Sequence, residues 1–267
     1  VSMIGFDDGS ETRRFLNEAA DDDPLGALAR ALPVEGINAN LTSRGDTTTA
    51  QRLKENLGVS FMGDTKVGPF DIAASVARRL LASPNPHGRP NSDVVRPWVN
   101  GLDITRRPRN MWIIDFPPGT TETEAALYEA PFEYIKNNVK STRAGNTRDT
   151  YAQRWWIHGE PRPDMRQAIG RIGRFIATVA VARHRLFVWL SSPTLPDHSL
   201  FVFAREDDYF FGVLHSRTHE VWALRQGTQL ESRPRYTPTS CFETFPHPRP
   251  TELQTREIAA AAAELNS

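Results

Sequence analysis

Six consecutive residues, Glu231-Ser232-Arg233-Pro234-Arg235-Tyr236, set one carboxylate and two guanidinia within five positions. A glutamate can accept a hydrogen bond from cytosine N4, and an arginine can grip O6 and N7 of guanine. A loop presenting both has the chemistry of base readout; a local ion pair on a surface loop would use the same spacing. His215-x-x-x-His219 places two imidazoles on one helix face, a zinc-compatible spacing. A zinc site needs a third ligand, however, and Glu220 sits one position off that face. Hydrogen-bonded histidines are the plainer reading, so no metal site is assigned. Asp64-Thr65-Lys66 has the Asp-x-Lys spacing of some nuclease sites but lacks a clear upstream acid, and reads as a polar turn. His158, Glu160 and His184 have the chemistry for proton transfer, yet no activated nucleophile accompanies them. Gly170-x-x-Gly173 falls in a helical stretch and suits close packing better than a phosphate loop. No catalytic residue is assigned.

A second feature is electrostatic. Residues Lys136 to Arg185 carry 11 Lys/Arg against three acids, Asp149, Glu160 and Asp164, while the whole chain balances 32 basic with 32 acidic residues. A basic band on a neutral protein is the footprint of a polyanion-binding face, and arginine suits bidentate phosphate contact. A solvated Arg-rich surface is the alternative. On the polyanion reading, Lys136, Lys140, Arg143, Arg154, Arg166, Arg171 and Arg174 are expected to contact DNA phosphates.

The elements that must position these groups are partly legible. The chain of 267 residues, 24% charged and 39% hydrophobic, is long enough for a sizeable core. No run reaches the ~18 apolar residues of a membrane span, and the start lacks the pattern of a signal peptide. Cys241 is the one cysteine. That excludes an internal disulfide and a multi-Cys zinc site, and suits a reducing cytoplasm. Val1–Phe6, Val94–Val99, Met111–Phe116, Ile176–Val181, Leu186–Leu190 and Leu200–Phe203 read as strands, and Leu25–Leu32 as a short helix or strand. Helices are expected at Thr48–Leu57, at Ile72–Leu81 capped by Asp71, after the capping box Thr121-x-x-Glu124, at Met165–Phe175 capped by Asp164, at Phe211–Arg225, and at Glu252–Leu265. Pro131 should kink the helix after the capping box or mark its first turn. Asp103–Arg109 reads as a polar arm, and Arg233–Phe245 as irregular. Three prolines and a glycine in residues 83–91 mark a boundary. The expected division is 1–83, a linker at 84–91, a domain at 92–250 and a terminal helix at 251–267.

Several blocks then fall in a familiar order: Val95-Arg96-Pro97-Trp98-Val99-Asn100-Gly101, Met111-Trp112-Ile113-Ile114-Asp115-Phe116, Arg154-Trp155-Trp156, Tyr209-Phe210-Phe211-Gly212-Val213-Leu214-His215-Ser216, and Arg235-Tyr236-Thr237-Pro238 with Phe242-Glu243-Thr244-Phe245-Pro246. Together they resemble the target-recognition part of adenine-N6 DNA methyltransferases, the MmeI-like single-chain restriction–modification enzymes and the methyltransferases of phage-defence systems. The resemblance spans roughly residues 90–250. It implies an α+β recognition domain with mixed or antiparallel sheets and flanking helices. It also implies that Val1–Gly9 and Gly68-Pro69-Phe70-Asp71 belong to the end of a Rossmann-like methyltransferase domain.

The family's Asn-Pro-Pro-Tyr or Asn-Pro-Pro-Phe motif and its glycine-rich S-adenosylmethionine loop are absent; Asn85-Pro86-His87-Gly88 imitates only two residues of the former. The expectation is a non-catalytic fragment with no cofactor of its own. The flipped base and S-adenosylmethionine would belong to a missing N-terminal methyltransferase domain. The expected partner is double-stranded DNA, and the resemblance implies base readout by Glu231, Arg233 and Arg235, with further segments near Asp197-His198-Ser199 and Ala182-Arg183, hence His198 and Arg183. The rivals are a nucleic-acid-binding module unconnected to methylation, such as an RNA binder, and a metal-dependent hydrolase using His215 and His219.

Overall fold

A computed structural model of the chain describes residues 8, 10, 12–16, 32–37, 45–230 and 233–265. The expected strand Val1–Phe6 lies outside the described residues. So does the element expected at Leu25–Leu32, apart from Leu32, which opens a strand. The chain separates into two compact units, Val1–Gln51 and Arg52–Ser267. In the first, β1 (Arg14–Leu16) pairs antiparallel with β2 (Leu32–Val34).

The second unit begins with β3 (Ser60–Met62), β4 (Asp71–Ile72), α1 (Ala74–Ala82), β5 (Val95–Val99), α2 (Gly101–Thr105) and β6 (Trp112–Ile114). A run of helices follows: α3 (Glu122–Ala126), α4 (Glu129–Asn138), α5 (Lys140–Ala144), α6 (Asp149–Gln153) and α7 (Pro163–Ile169). The chain then enters β7 (Arg174–Val179), β8 (Phe187–Ser191), β9 (Leu195–Pro196) and β10 (Leu200–Phe203). It closes with α8 (Asp208–His215), α9 (Arg217–Gln226), the hairpin β11 (Thr228–Leu230) and β12 (Arg233–Arg235), and α10 (Glu252–Glu264).

Two four-stranded sheets organise this unit. One is antiparallel, in the order β3-β10-β7-β8; the other is mixed, in the order β4-β6-β5-β9, with β9 parallel to β5. The fold is therefore α+β. Phe203, Phe187 and Ile176 of the first sheet are buried with Phe210, Phe211 and Leu214 of α8 and Tyr236 and Phe242 beyond it. Burying such aromatic side chains contributes about 1.5–3 kcal/mol each. A larger core joins both sheets to the helices, through Phe70, Val95, Trp98, Ile114, Ile135, Trp155 and Phe175. The sheets touch at Gly63, where an added Cβ would sit 2.1 Å from the Asp197 carbonyl oxygen.

Several expectations change. Thr48–Leu57 yields only a 3-10 turn at Lys54–Asn56, because Leu53 N–H donates to the Glu243 carbonyl and the Asn56 amide donates to the Phe242 and Phe245 carbonyls. Asp71 is no helix cap: its strand pairs with β6 and its carboxylate takes Lys66. The helix expected from Met165 starts at Pro163 behind Arg162, held at φ 48°, and stops at Gly170, so Phe175 enters β7. Phe211–Arg225 is two helices broken at Ser216, whose side chain accepts from His219 N–H and caps α9. Pro131 falls in the first turn of α4 without ending it. Residues 84–91 do not separate two cores. Ala77 and Leu80 of α1 pack with Val94, Val95 and Ile113, and Asn91 donates to the Leu80 and Ser83 carbonyls.

Candidate nucleic-acid interface

A surface cleft of about 650 Å³ is lined by residues from four separate stretches: Asn100 to Arg106, Val179 to Leu186, Asp197 with Ser199, and Arg233. Its geometry follows from β7 and β10. Beyond the end of β7 the chain turns out of the sheet at 180–186, ahead of the start of β10 it turns at 197–199, and β12 adds a third edge through a bridge between Val181 and Arg235. Tyr236 N–H donates to the Ala180 carbonyl at 2.8 Å, and Arg185 donates to the Val179 carbonyl while stacking over the Tyr236 ring. These bonds hold the 180–186 turn against β12 and leave Arg183 and His184 exposed on it.

The 197–199 turn is equally fixed. Asp197 N–H donates to the Val99 carbonyl and His198 N–H to the Asp64 carbonyl, while the Asp197 carboxylate accepts from Ser199 N–H. The His198 side chain is thereby left 58% exposed, with Nδ1 3.2 Å from the other Asp197 oxygen. Arg233 lines the cleft from β12. Arg235 lies two residues further along the exposed strand and lines an adjoining hollow with Arg183, His184 and Leu224. Arg183, His198, Arg233 and Arg235 are thus brought to neighbouring positions from three stretches of chain. Glu231 lies outside the described residues.

The basic band fares differently. Arg143 is 1% exposed, and its guanidinium donates to the carbonyls of Lys66, Val67, Arg154, Trp155 and Ile157. Burial pulls its pKa down to about 10. Arg166 forms a bidentate pair with Asp115 at 2.6 and 2.8 Å and reaches Asp64 at 2.6 Å. His158 completes this cluster, with Nδ1 2.7 Å from Asp64 and Nε2 3.0 Å from the Ile114 carbonyl. Burial alone would raise the Asp115 pKa, but Arg166, His158 and Arg96 outweigh it and hold it below the usual carboxylate value. Arg143 and Arg166 are therefore internal braces, a correction to their expected role at phosphates: each buried guanidinium is saturated by carbonyls or carboxylates from distant segments. Asp64 and His158 belong to the same brace, closed from solvent.

Arg174 pairs with Asp208 and stacks 3.9 Å over Trp189. It also lies at the far end of β7 from Val179, about 17 Å away by strand rise, so it is remote from the cleft and already engaged. Lys136 pairs with Glu133, and Lys140 sits near Glu122 and over the Trp155 ring. Arg154 and Arg171 are exposed without a side-chain partner among the described residues.

The His215/His219 pair also dissolves. His219 is fully buried, with Nδ1 2.8 Å from the Leu214 carbonyl and Nε2 3.1 Å from the Tyr236 hydroxyl. His215 sits on the preceding helix against the Phe211 carbonyl. No three-residue cluster of metal-ligating type occurs among the described residues. Burial lowers the His219 pKa to about 4. Because the folded value lies below the unfolded one, the unfolded chain takes up a proton first as pH falls. Stability is full above about pH 6.5 and declines towards pH 4, by about 3 kcal/mol from His219 alone. Thermal unfolding at pH 7 and pH 4.5 checks this; an unchanged midpoint would contradict it.

The sequence reading overlooked the fourth wall. Asn100 caps α2 with a full capping box, accepting from Leu102 N–H while Asp103 accepts from Asn100 N–H. The pair Asn100-x-x-Asp103 was the available signal. With this geometry in hand, the relatives can be compared. The family described as MmeI, target recognition domain, matches residues 93–249. This chain belongs to that family.

No curated protein matches. Among solved structures, the fold is similar to that of the Type IIL restriction-modification enzyme MmeI in complex with DNA, with a TM-score of 0.66 and 18% identity over 87% of this chain. The match covers 31% of that protein, so this chain spans about a third of its length. In this MmeI-type recognition domain the matched region contributes every stretch that lines the cleft.

Proposed function

We propose that the cleft receives double-stranded DNA and reads its sequence for an adenine-N6 DNA methyltransferase of a restriction–modification or phage-defence system. The observation that carries this is the convergence of residues 182–183, 197, 199 and 233 on one cleft, with the exposed His198 on the turn between two of them. Side chains there include the guanidinia of Arg183 and Arg233, and the turn at the cleft's edge carries the His198 imidazole, groups that recognise guanine edges and other major-groove acceptors. Arg235, beside them on the hairpin, extends the same reading surface, and Glu231 keeps the base-readout role that the resemblance implies. Lys136, Lys140, Arg154 and Arg171 serve as outer phosphate contacts, since none is consumed by the core.

Methyl transfer and S-adenosylmethionine belong in this reading to an N-terminal domain whose Asn-Pro-Pro-Tyr or Asn-Pro-Pro-Phe motif this sequence lacks. Support for a residual piece of that domain comes from the resemblance of Gly68-Pro69-Phe70-Asp71. Competition between a labelled random-sequence duplex and unlabelled single-stranded RNA tests the class of ligand. The duplex should be displaced by unlabelled duplex and not by RNA; displacement by RNA would favour an RNA-binding module.

A further inference from the structure

The α2 arm is a polar stretch that base readout leaves without a task. Leu102, Thr105 and Arg106 line the same cleft as the reading residues Arg183 and Arg233. Arg109 adds no free charge, since its guanidinium is bidentate on Asp103 at 2.9 and 3.0 Å. Arg106 and Arg107, by contrast, are exposed and have no side-chain partner among the described residues. The arm that carries them is braced at every turn. Gly101 N–H donates to Ser199 Oγ at 2.9 Å, Thr105 Oγ1 donates to the Gly101 carbonyl at 2.8 Å, and Asp103 also accepts from Arg109 N–H. An added Cβ at Gly101 would lie 3.0 Å from Val179, so the arm is seated directly on the end of β7. One guanidinium on the lining of the cleft that holds the reading residues, with a second exposed on the next residue, has the arrangement of a backbone clamp. Fixed donors of this kind set register on a duplex without carrying sequence information.

We infer that Arg106, supported by Arg107, grips the phosphate backbone of the duplex whose bases face Arg183 and Arg233. This rests on the DNA reading of the cleft and deepens it by assigning the part of the lining that α2 supplies. The test uses the whole chain with a fluorescent duplex pool of random sequence, measuring affinity against salt and sequencing the bound fraction. Arg106→Ala should weaken binding and flatten the slope of log K against log salt by about 0.9 for the phosphate lost, leaving the enriched sequence unchanged. Arg106→Lys should restore most of the slope, because a point charge suffices at a phosphate.

An unaltered slope and affinity in Arg106→Ala would overturn the inference, as would a changed enriched sequence, which would make Arg106 a base reader. The two readings fail separately. A flattened slope in the variant, with a wild type that enriches no motif, would sink base readout and keep the clamp; a wild type with no affinity for the pool would sink both.

Discussion

Replacing Arg166 with alanine should destabilise the folded unit by about 3–5 kcal/mol, the cost of leaving buried carboxylates without their cation. Asp64 and Asp115 are at most 2% exposed and share the Arg166 guanidinium, whose side chain is 13% exposed. Removing it leaves two buried negative charges with only the His158 imidazole and the more distant Arg96, 3.8 Å from Asp115. The same charge balance predicts that Asp115→Asn also destabilises, since it breaks the bidentate pair. For a unit of this size the midpoint of thermal unfolding should fall on the order of 10 °C. Arg171→Ala, two residues beyond the end of the same helix and exposed, should stay within about 0.5 kcal/mol of wild type. Calorimetry on the two variants separates them. Equal midpoints would mean that the Arg166 cluster is not the brace its geometry describes, and would return Arg166 to the phosphate contacts.

The second large effect falls on binding. Arg233→Ala and Arg183→Ala should each cost about 1–3 kcal/mol against the preferred duplex and much less against others, because a bidentate base contact is lost while backbone contacts persist. Fluorescence titration against preferred and scrambled duplexes gives both numbers. Arg171→Ala should instead weaken all sequences alike; a sequence-selective loss there would exchange the assigned roles. Arg183 is exposed and outside the core, so the thermal midpoint of its variant should barely move. Arg183 projects from a turn held by Arg185 and Tyr236, and the turn keeps those bonds when Arg183 is shortened.

What the sequence disclosed was local. Thr121 with Glu124 and Thr251 with Gln254 close capping boxes within three residues, and Leu200–Phe203 is a strand because four buried apolar side chains fit a sheet covered on both faces. The Glu231–Arg235 motif stood out for the same reason, being chemistry written in consecutive residues. The fates of Arg143 and Arg166 were hidden because they depend on partners 76 and 102 positions away, at Val67 and Asp64. No composition count separates a guanidinium aimed at solvent from one that gathers five carbonyls inside. The break at Ser216 was hidden too. A serine in an apolar-periodic run fits a continuous helix until His219 must turn inward to Tyr236, and then it serves better as a cap. The cleft itself arises beside the turns at 180–186 and 197–199, where β12 bridges to Val181, and pairing between residues as distant as Val181 and Arg235 is not written in any window of the chain.

Sequencing the duplexes that the protein retains from a random pool tests the central claim most directly. The wild type should enrich one short motif, and the Arg183→Ala/Arg233→Ala double variant should bind the pool with that motif blurred at the positions those side chains read. Identical motifs from the two proteins, or retention with no motif at all, would contradict a cleft that reads bases.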